Sequence, residues 1–164
     1  MSAAVAASQR RAIAAWLADS LNRPADARAQ WADGHLAVLA LGRRFSAVRL
    51  SDELVYAVAA GTDPGIASEV LSALDGPVIH DPRNGRFYAL VPASPPGPSL
   101  GPHAAYLGLG HYIGVPRVGD DEQTETWSSY WVVPMRTPGD LCNPIPVMGL
   151  VNAGTAILDG RIEL

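Results

Sequence analysis

Apolar residues recur at helical spacing in the first part of the chain. Ile13, Trp16, Leu17 and Leu21 form one stripe, with Arg10, Arg11 and Asp19 set off it, and this predicts a helix over residues 2–22. Pro24 ends that helix by pushing the preceding residue out of the α region. A shorter helix is expected over 25–33, stopped at Gly34. The pattern then changes. Leu36–Leu41 is a continuous apolar run, as in a buried strand, and Phe45–Leu50 alternates. On that second strand Phe45, Ala47 and Arg49 fall on one face, Ser46, Val48 and Leu50 on the other. Ser51 stands as a helix cap, with Asp52 and Glu53 in the first turn where the helix dipole favours acids. That helix runs to Ala60, with Gly61 closing it, and another is expected over 64–74, with Pro64 in its first turn.

Two short strands, Val78–His80 and Arg86–Val91, flank Asp81-Pro82-Arg83-Asn84-Gly85, and Asn-Gly is a strong hairpin signal. Residues 92–102, with Pro92, Pro95, Pro96, Pro98 and Pro102, read as a mobile loop. Ala104–Val115 reads as one strand bent at Gly108 or Gly110, and Trp127–Val133 as another strand. Between them the segment 117–126 is the most acidic of the chain. After Pro134, Pro138, Pro144 and Pro146, residues 147–158 read as a weak helix or a pair of strands. The pattern predicts one α+β domain over 1–164, with a mostly antiparallel central sheet and helices on one face. Its parts are an N-terminal helical segment (1–33), a sheet-containing core (34–134) and a C-terminal segment (135–164).

Composition narrows the function. Hydrophobic residues make up 48% and charged residues 17%, as in a globular chain. All 12 basic side chains are arginine, and the net charge of −4 argues against indiscriminate nucleic-acid binding. No apolar run reaches the length of about 18 residues needed to span a bilayer, so no membrane association is expected. The arginines Arg10 and Arg11 follow the N-terminal Ala-rich stretch instead of preceding it, unlike a signal peptide, so the expected compartment is the cytoplasm. A single cysteine, Cys142, excludes an intramolecular disulfide and reads as a buried structural thiol.

Catalytic motifs are scarce. The absence of lysine forbids a phosphate-binding GxxxxGK[ST] loop, and no GxSxG nucleophile elbow is present. His35, His80, His103 and His111 show no HxH or HExxH spacing, so the sequence offers no local metal site. His80-Asp81 is a candidate dyad, although Asp-Pro is ordinary turn chemistry. The acids at 120–125 lack the calcium-loop spacing and read as a solvated face.

Several stretches carry a resemblance. These are Gly76-Pro77-Val78-Ile79-His80 with Gly85-Arg86-Phe87-Tyr88-Ala89-Leu90, and Gly110-His111-Tyr112-Ile113-Gly114-Val115-Pro116 followed by Ser129-Tyr130-Trp131. In this order they resemble the primase–polymerase (archaeo-eukaryotic primase-like) fold, and most closely short actinobacterial primase/polymerase N-terminal-like proteins. There Gly42-Arg43-Arg44-Phe45-Ser46-Ala47-Val48-Arg49 stands where members read Gly-x-x-Phe-Asp-x-Val. The resemblance covers about residues 30–134, roughly two-thirds of the chain. In the active family it implies two acids one apart on the second strand that hold divalent metal, a small-x-His motif on the hairpin and a third acid before the glycine-rich strand. Here Ser46 and Val48, Gly85-Arg86-Phe87-Tyr88 and Ala104-Ala105-Tyr106-Leu107 stand in those places.

The resulting expectation is a catalytically inactive primase–polymerase-like binding module, with no catalytic residue, metal or cofactor. Its former active-site face would engage a protein partner, or a nucleotide or nucleic-acid end through Arg49, Arg86 and Tyr88, with His80 and His111 as further candidates. The tryptophans and the proline-rich loop suit a protein docking surface. The alternative is a metal-dependent nucleotidyl transferase or a hydrolase that uses His80, His111 and a carboxylate the fold brings near.

Overall fold

The computed structural model describes residues 2–95 and 97–162; Pro96 of the proline-rich loop and both chain ends lie outside them. The first helix, α1 (Ala3–Ala18), is capped by Ser2, whose hydroxyl accepts from the Val5 amide, and α2 (Pro24–Asp33) begins on its proline. Next come β1 (Leu36–Ala40), β2 (Ser46–Ser51), α3 (Asp52–Ala59) and α4 (Pro64–Ser72). Ser51 caps α3 through the Leu54 amide, and Asp63 caps α4 through Gly65 and Ile66. The rest of the chain forms β3 (Val78–Asp81), β4 (Arg86–Val91), β5 (Ala104–Leu107), β6 (Tyr112–Pro116), β7 (Tyr130–Val133) and α5 (Pro144–Ile162).

The class is α+β, and every strand pair is antiparallel. A five-stranded sheet runs β5-β2-β4-β3-β7, and β1 and β6 form a separate two-stranded ribbon. Residues 36–41 are therefore not part of the central sheet, and the strand expected over 104–115 is two strands in two sheets. The glycine-rich link breaks the strand instead of bending it: Gly110 takes φ of 93°, and the chain crosses from the main sheet to the ribbon. The hairpin between β3 and β4 forms as expected, with Asp81 opposite Arg86. Gly85 is its left-handed residue, with φ of 64°.

Alternation along the strands splits the core in two. Val48, Leu50, Val78, Phe87 and Ala89 face one side, where α3, α4 and α5 cover them through Leu54, Leu71 and Val151 among others. Ala47, Ile79, Tyr88, Leu90 and Trp131 face the other, against the inner face of the ribbon (Leu39, Ile113, Val115) together with α1 and α2. Thus α3–α5 form a helical layer on one face, while α1 and α2 accompany the ribbon on the second.

The C-terminal segment is one 19-residue helix, not a weak helix or a strand pair. Its buried positions are Val147, Leu150, Val151, Gly154 and Leu158, a regular helical stripe with a glycine inside it. At Gly154 a Cβ would come within 2.6 Å of the Leu54 side chain, so α5 crosses α3 at close range there. No helix among the described residues is long and apolar enough to cross a membrane.

Candidate functional site

Two cavities flank the β3–β4 hairpin turn. The first, about 560 Å³, opens at the β5 edge of the main sheet beneath the loop 97–103. Arg49 reaches it from β2 and Arg86 from the start of β4; both are on the face that carries Tyr88, because Arg49 pairs with Tyr88 and Arg86 lies two residues before it. His103 and the backbone of Gly97 and Gly101 complete the wall, and among the described residues no aspartate or glutamate lines the cavity. Neither guanidinium forms a salt bridge with a described residue. Asp81, cross-strand from Arg86, instead accepts a hydrogen bond from the Asn84 amide at 2.9 Å.

The structure thus unites Arg49 and Arg86 but corrects the expectation for Tyr88. That ring is 9% exposed, within the core between sheet and ribbon, and does not line the cavity, so it offers no stacking platform there. The aromatic residue that does line it is Tyr106, on β5. Its hydroxyl is fully engaged: the Ser94 carbonyl, 2.5 Å away, and the Ser46 hydroxyl, 2.8 Å away, compete for its single proton, and it accepts from the Ser94 amide at 3.0 Å. Burial pushes this phenol up, but hydrogen bonds with Ser46 and Ser94 outweigh it and leave it below its ordinary value.

The second cavity, about 690 Å³, opens on the helical side of the same hairpin. His80 lies at its floor, 4% exposed, stacked on Phe87 with ring centroids 4.0 Å apart. Its Nε2 is 3.1 Å from an Asp52 carboxylate oxygen and its Nδ1 2.9 Å from the Tyr130 hydroxyl. An ionised carboxylate only accepts, so Nε2 carries the proton; in the neutral ring Nδ1 accepts from Tyr130. Both imidazole nitrogens are therefore engaged within the protein. Burial, with the Tyr56 and Asp52 side chains nearby, pushes the Tyr130 phenol up to about 12. It stays protonated at neutral pH.

His80 thus finds a carboxylate, but it is Asp52 in the first turn of α3 and not the adjacent Asp81. His111 does not join it: that residue is exposed in the turn between β5 and β6 and lines neither cavity. Among the described residues no group of three His, Cys, Asp or Glu side chains converges as a metal site. Asp52 and Tyr130 lie 28 and 50 residues from His80, so no local spacing could have joined them. Cys142 is 1% exposed and its Sγ points to the Pro77 carbonyl; burial first, then Asp140 and Asp75, pushes the thiol up to about 12. This is an unreactive thiol.

The acidic segment forms one rim of the second cavity. Trp127 stands on it, 55% exposed, in the left-handed region with φ of 58°. The Arg83 guanidinium fixes the preceding residue by donating twice to the Thr126 carbonyl, at 3.0 and 2.7 Å. Asp121 is raised above its ordinary value by partial burial and by the charges of Asp120 and Glu122, with Arg10 opposing. The folded state thus favours the protonated carboxyl, and stability declines as pH rises from the ordinary carboxylate range through the raised value. Asp121→Asn is expected to raise the urea midpoint at pH 7, and the gain should vanish once the pH falls below the ordinary carboxylate range. A variant no more stable than the parent at pH 7 would contradict this.

No protein-family model, no curated protein and no solved structure matches the chain.

Proposed function

We propose that this chain is a catalytically inactive binding module of the primase–polymerase-like kind, which takes a phosphate-bearing ligand, a nucleotide or nucleic-acid end, in the Arg49–Arg86 cavity. The observation that carries this reading is the pairing of two arginines in one cavity with no carboxylate among its described lining residues, in a chain whose net charge is −4. Such a pair repels itself and is held in place by the fold; an anion is its natural complement. A guanidinium grips phosphate oxygens through two parallel hydrogen bonds, each stronger than a neutral one. His103 adds a third donor on the same wall.

The same reading accounts for the second strand. Metal-dependent nucleotidyl transfer needs carboxylates to hold its ions. Ser46 is instead fully buried and bonded to Tyr106, and Val48 is part of the core beneath α3–α5.

The test is calorimetric titration with inorganic tripolyphosphate and with a 5′-phosphorylated thymidine decamer, at about 50 and about 200 mM salt. Binding by the parent should weaken with salt. Arg49→Ala and Arg86→Ala should each weaken it by about 10-fold or more, the size of a lost hydrogen bond to a charged group. With Mg²⁺ or Mn²⁺ added, no nucleotide should be turned over. Absence of binding at the lower salt, or unchanged binding in both variants, overturns the reading. A protein-docking role would then take its place, on the ribbon's outer face, where Leu36, Val38 and Tyr112 are exposed beside Leu109 of the turn that leads into β6.

A further inference from the structure

The second cavity holds a different kind of chemistry, independent of the anion reading. Its walls include Tyr56 of α3, Tyr130 of β7 and Trp127 from the segment that leads into β7. Its rim carries Asp121, Glu122 and Glu125, and no lysine or arginine lines it. Neither Glu122 nor Glu125 forms a salt bridge with a described residue. From these observations we infer that the Tyr56–Trp127–Tyr130 cavity binds an alkylammonium group, with its alkyl substituents against the rings and its charge facing the rim carboxylates.

Two physical terms favour that ligand over a neutral one of the same shape. The faces of tyrosine and tryptophan rings are negative and attract a cation placed over them. The rim carboxylates add a Coulomb attraction that a neutral ligand does not feel. A hydrogen-bonded chain, Asp52–His80–Tyr130, stands behind one of the rings. Through it the Tyr130 hydroxyl is engaged within the protein and the ring is held in one orientation at the cavity wall. The same chain fixes the ring's position, and Arg83 fixes the loop that presents Trp127. The walls are therefore built before any ligand arrives, so little is spent on ordering them.

The alkylammonium can be carried by a small molecule or by a lysine side chain, and the experiment separates the two. Choline, its uncharged isostere 3,3-dimethylbutan-1-ol, and Nα-acetyl-lysine methylamide are titrated into the full chain, followed by ligand-observed proton NMR. Choline should bind with the isostere at least about fivefold weaker, and Trp127→Ala should weaken choline by a similar factor, the range of a cation–π contact. Glu122→Gln with Glu125→Gln should weaken choline and flatten its dependence on salt. Preference for choline over the lysine probe would assign the site to a small molecule; the reverse would assign it to a peptide side chain. Tyr130→Phe keeps the ring but breaks the bond to His80, and should weaken choline less than Trp127→Ala does. Equal binding of choline and its isostere, no binding of either cation up to about 100 mM, or undiminished binding in Trp127→Ala would each overturn the inference. Trp127 is exposed, so its replacement leaves the core intact.

Discussion

Gly76→Ala is expected to abolish the native fold or to leave it at least about 3 kcal/mol less stable, in the severe range for overpacking. Gly76 is buried just before β3, and a Cβ there would lie 2.2 Å from the Cys142 amide nitrogen and 2.4 Å from the Leu141 carbonyl carbon. These are backbone atoms, and no rotamer change removes them. Nor can the 141–143 segment withdraw cheaply. Its Cys142 amide donates to the Leu90 carbonyl at 2.7 Å, its Asn143 amide to the Leu74 carbonyl at 3.0 Å, and the Cys142 thiol to Pro77 at 3.3 Å. Moving it breaks those bonds and misdirects the entry to α5. Gly149→Ala is the matched control, since nothing lies within 4 Å of its added Cβ on the exposed side of α5. It should raise stability by about 0.5–1 kcal/mol through helix propensity alone. Urea denaturation of the two variants beside the parent checks both signs. A folded Gly76→Ala protein of parental stability would show that the 141–143 segment is not held as described.

The contrast between these glycines explains what the sequence reveals. Local signals were legible because their physics is local. Ser51 caps α3 and Pro64 opens α4, each by geometry that involves only a few neighbouring residues, whereas Pro24, expected to end the first helix, opens the second, the first having ended at Ala18. The Asn84-Gly85 turn forms for the same reason. Long-range choices were not legible. The apolar run at 36–41 fits a strand in either sheet; pairing Leu36 with Pro116 and Ala40 with Tyr112 is decided 70 or so residues later by the break at Gly108–His111. The stripe of α5 was hidden because one of its contact positions, Gly154, has no side chain to count as apolar.

The candidate sites divide along the same line. Parity puts Arg86 and Tyr88 on one face of β4; the register that sets Arg49 opposite Tyr88 brings Arg49 to that face, and the two arginines line one cavity. Parity cannot say that the ribbon covers the Tyr88 ring, because the ribbon is formed by distant segments. His80 falls on the opposite face, so it could never have joined the arginines, and its partners Asp52 and Tyr130 come from elements that only the tertiary fold brings beside β3.

Trp131→Ala is expected to lower stability by about 3–5 kcal/mol, as for other fully buried aromatic truncations. Trp131 is 2% exposed and lies at the edge strand β7, beside a register shift between Val78 and Ile79. From there it ties two sheets together. Its Nε1 donates to the Pro116 and Arg117 carbonyls, each at 3.2 Å, at the end of β6, and its backbone amide donates to the Asp120 carbonyl at 2.8 Å. Its ring fills the core between the main sheet and the ribbon. Trp131→Phe separates packing from hydrogen bonding: it keeps most of the ring and leaves the two carbonyls without the indole donor, and about 1–3 kcal/mol should be lost. The neighbouring Tyr130 points to the opposite face, toward His80. The two faces therefore respond differently. In Trp131→Phe the ribbon loosens while choline binding in the helical-side cavity stays at the parental level. In Trp131→Ala the collapse of the edge strand removes both. Amide hydrogen exchange measured on the phenylalanine variant should show faster exchange at Ile113 and Val115 with the β3–β4 amides unchanged. Uniform acceleration across both sheets would mean that the ribbon is not held through the indole, and that the two layers open as one unit.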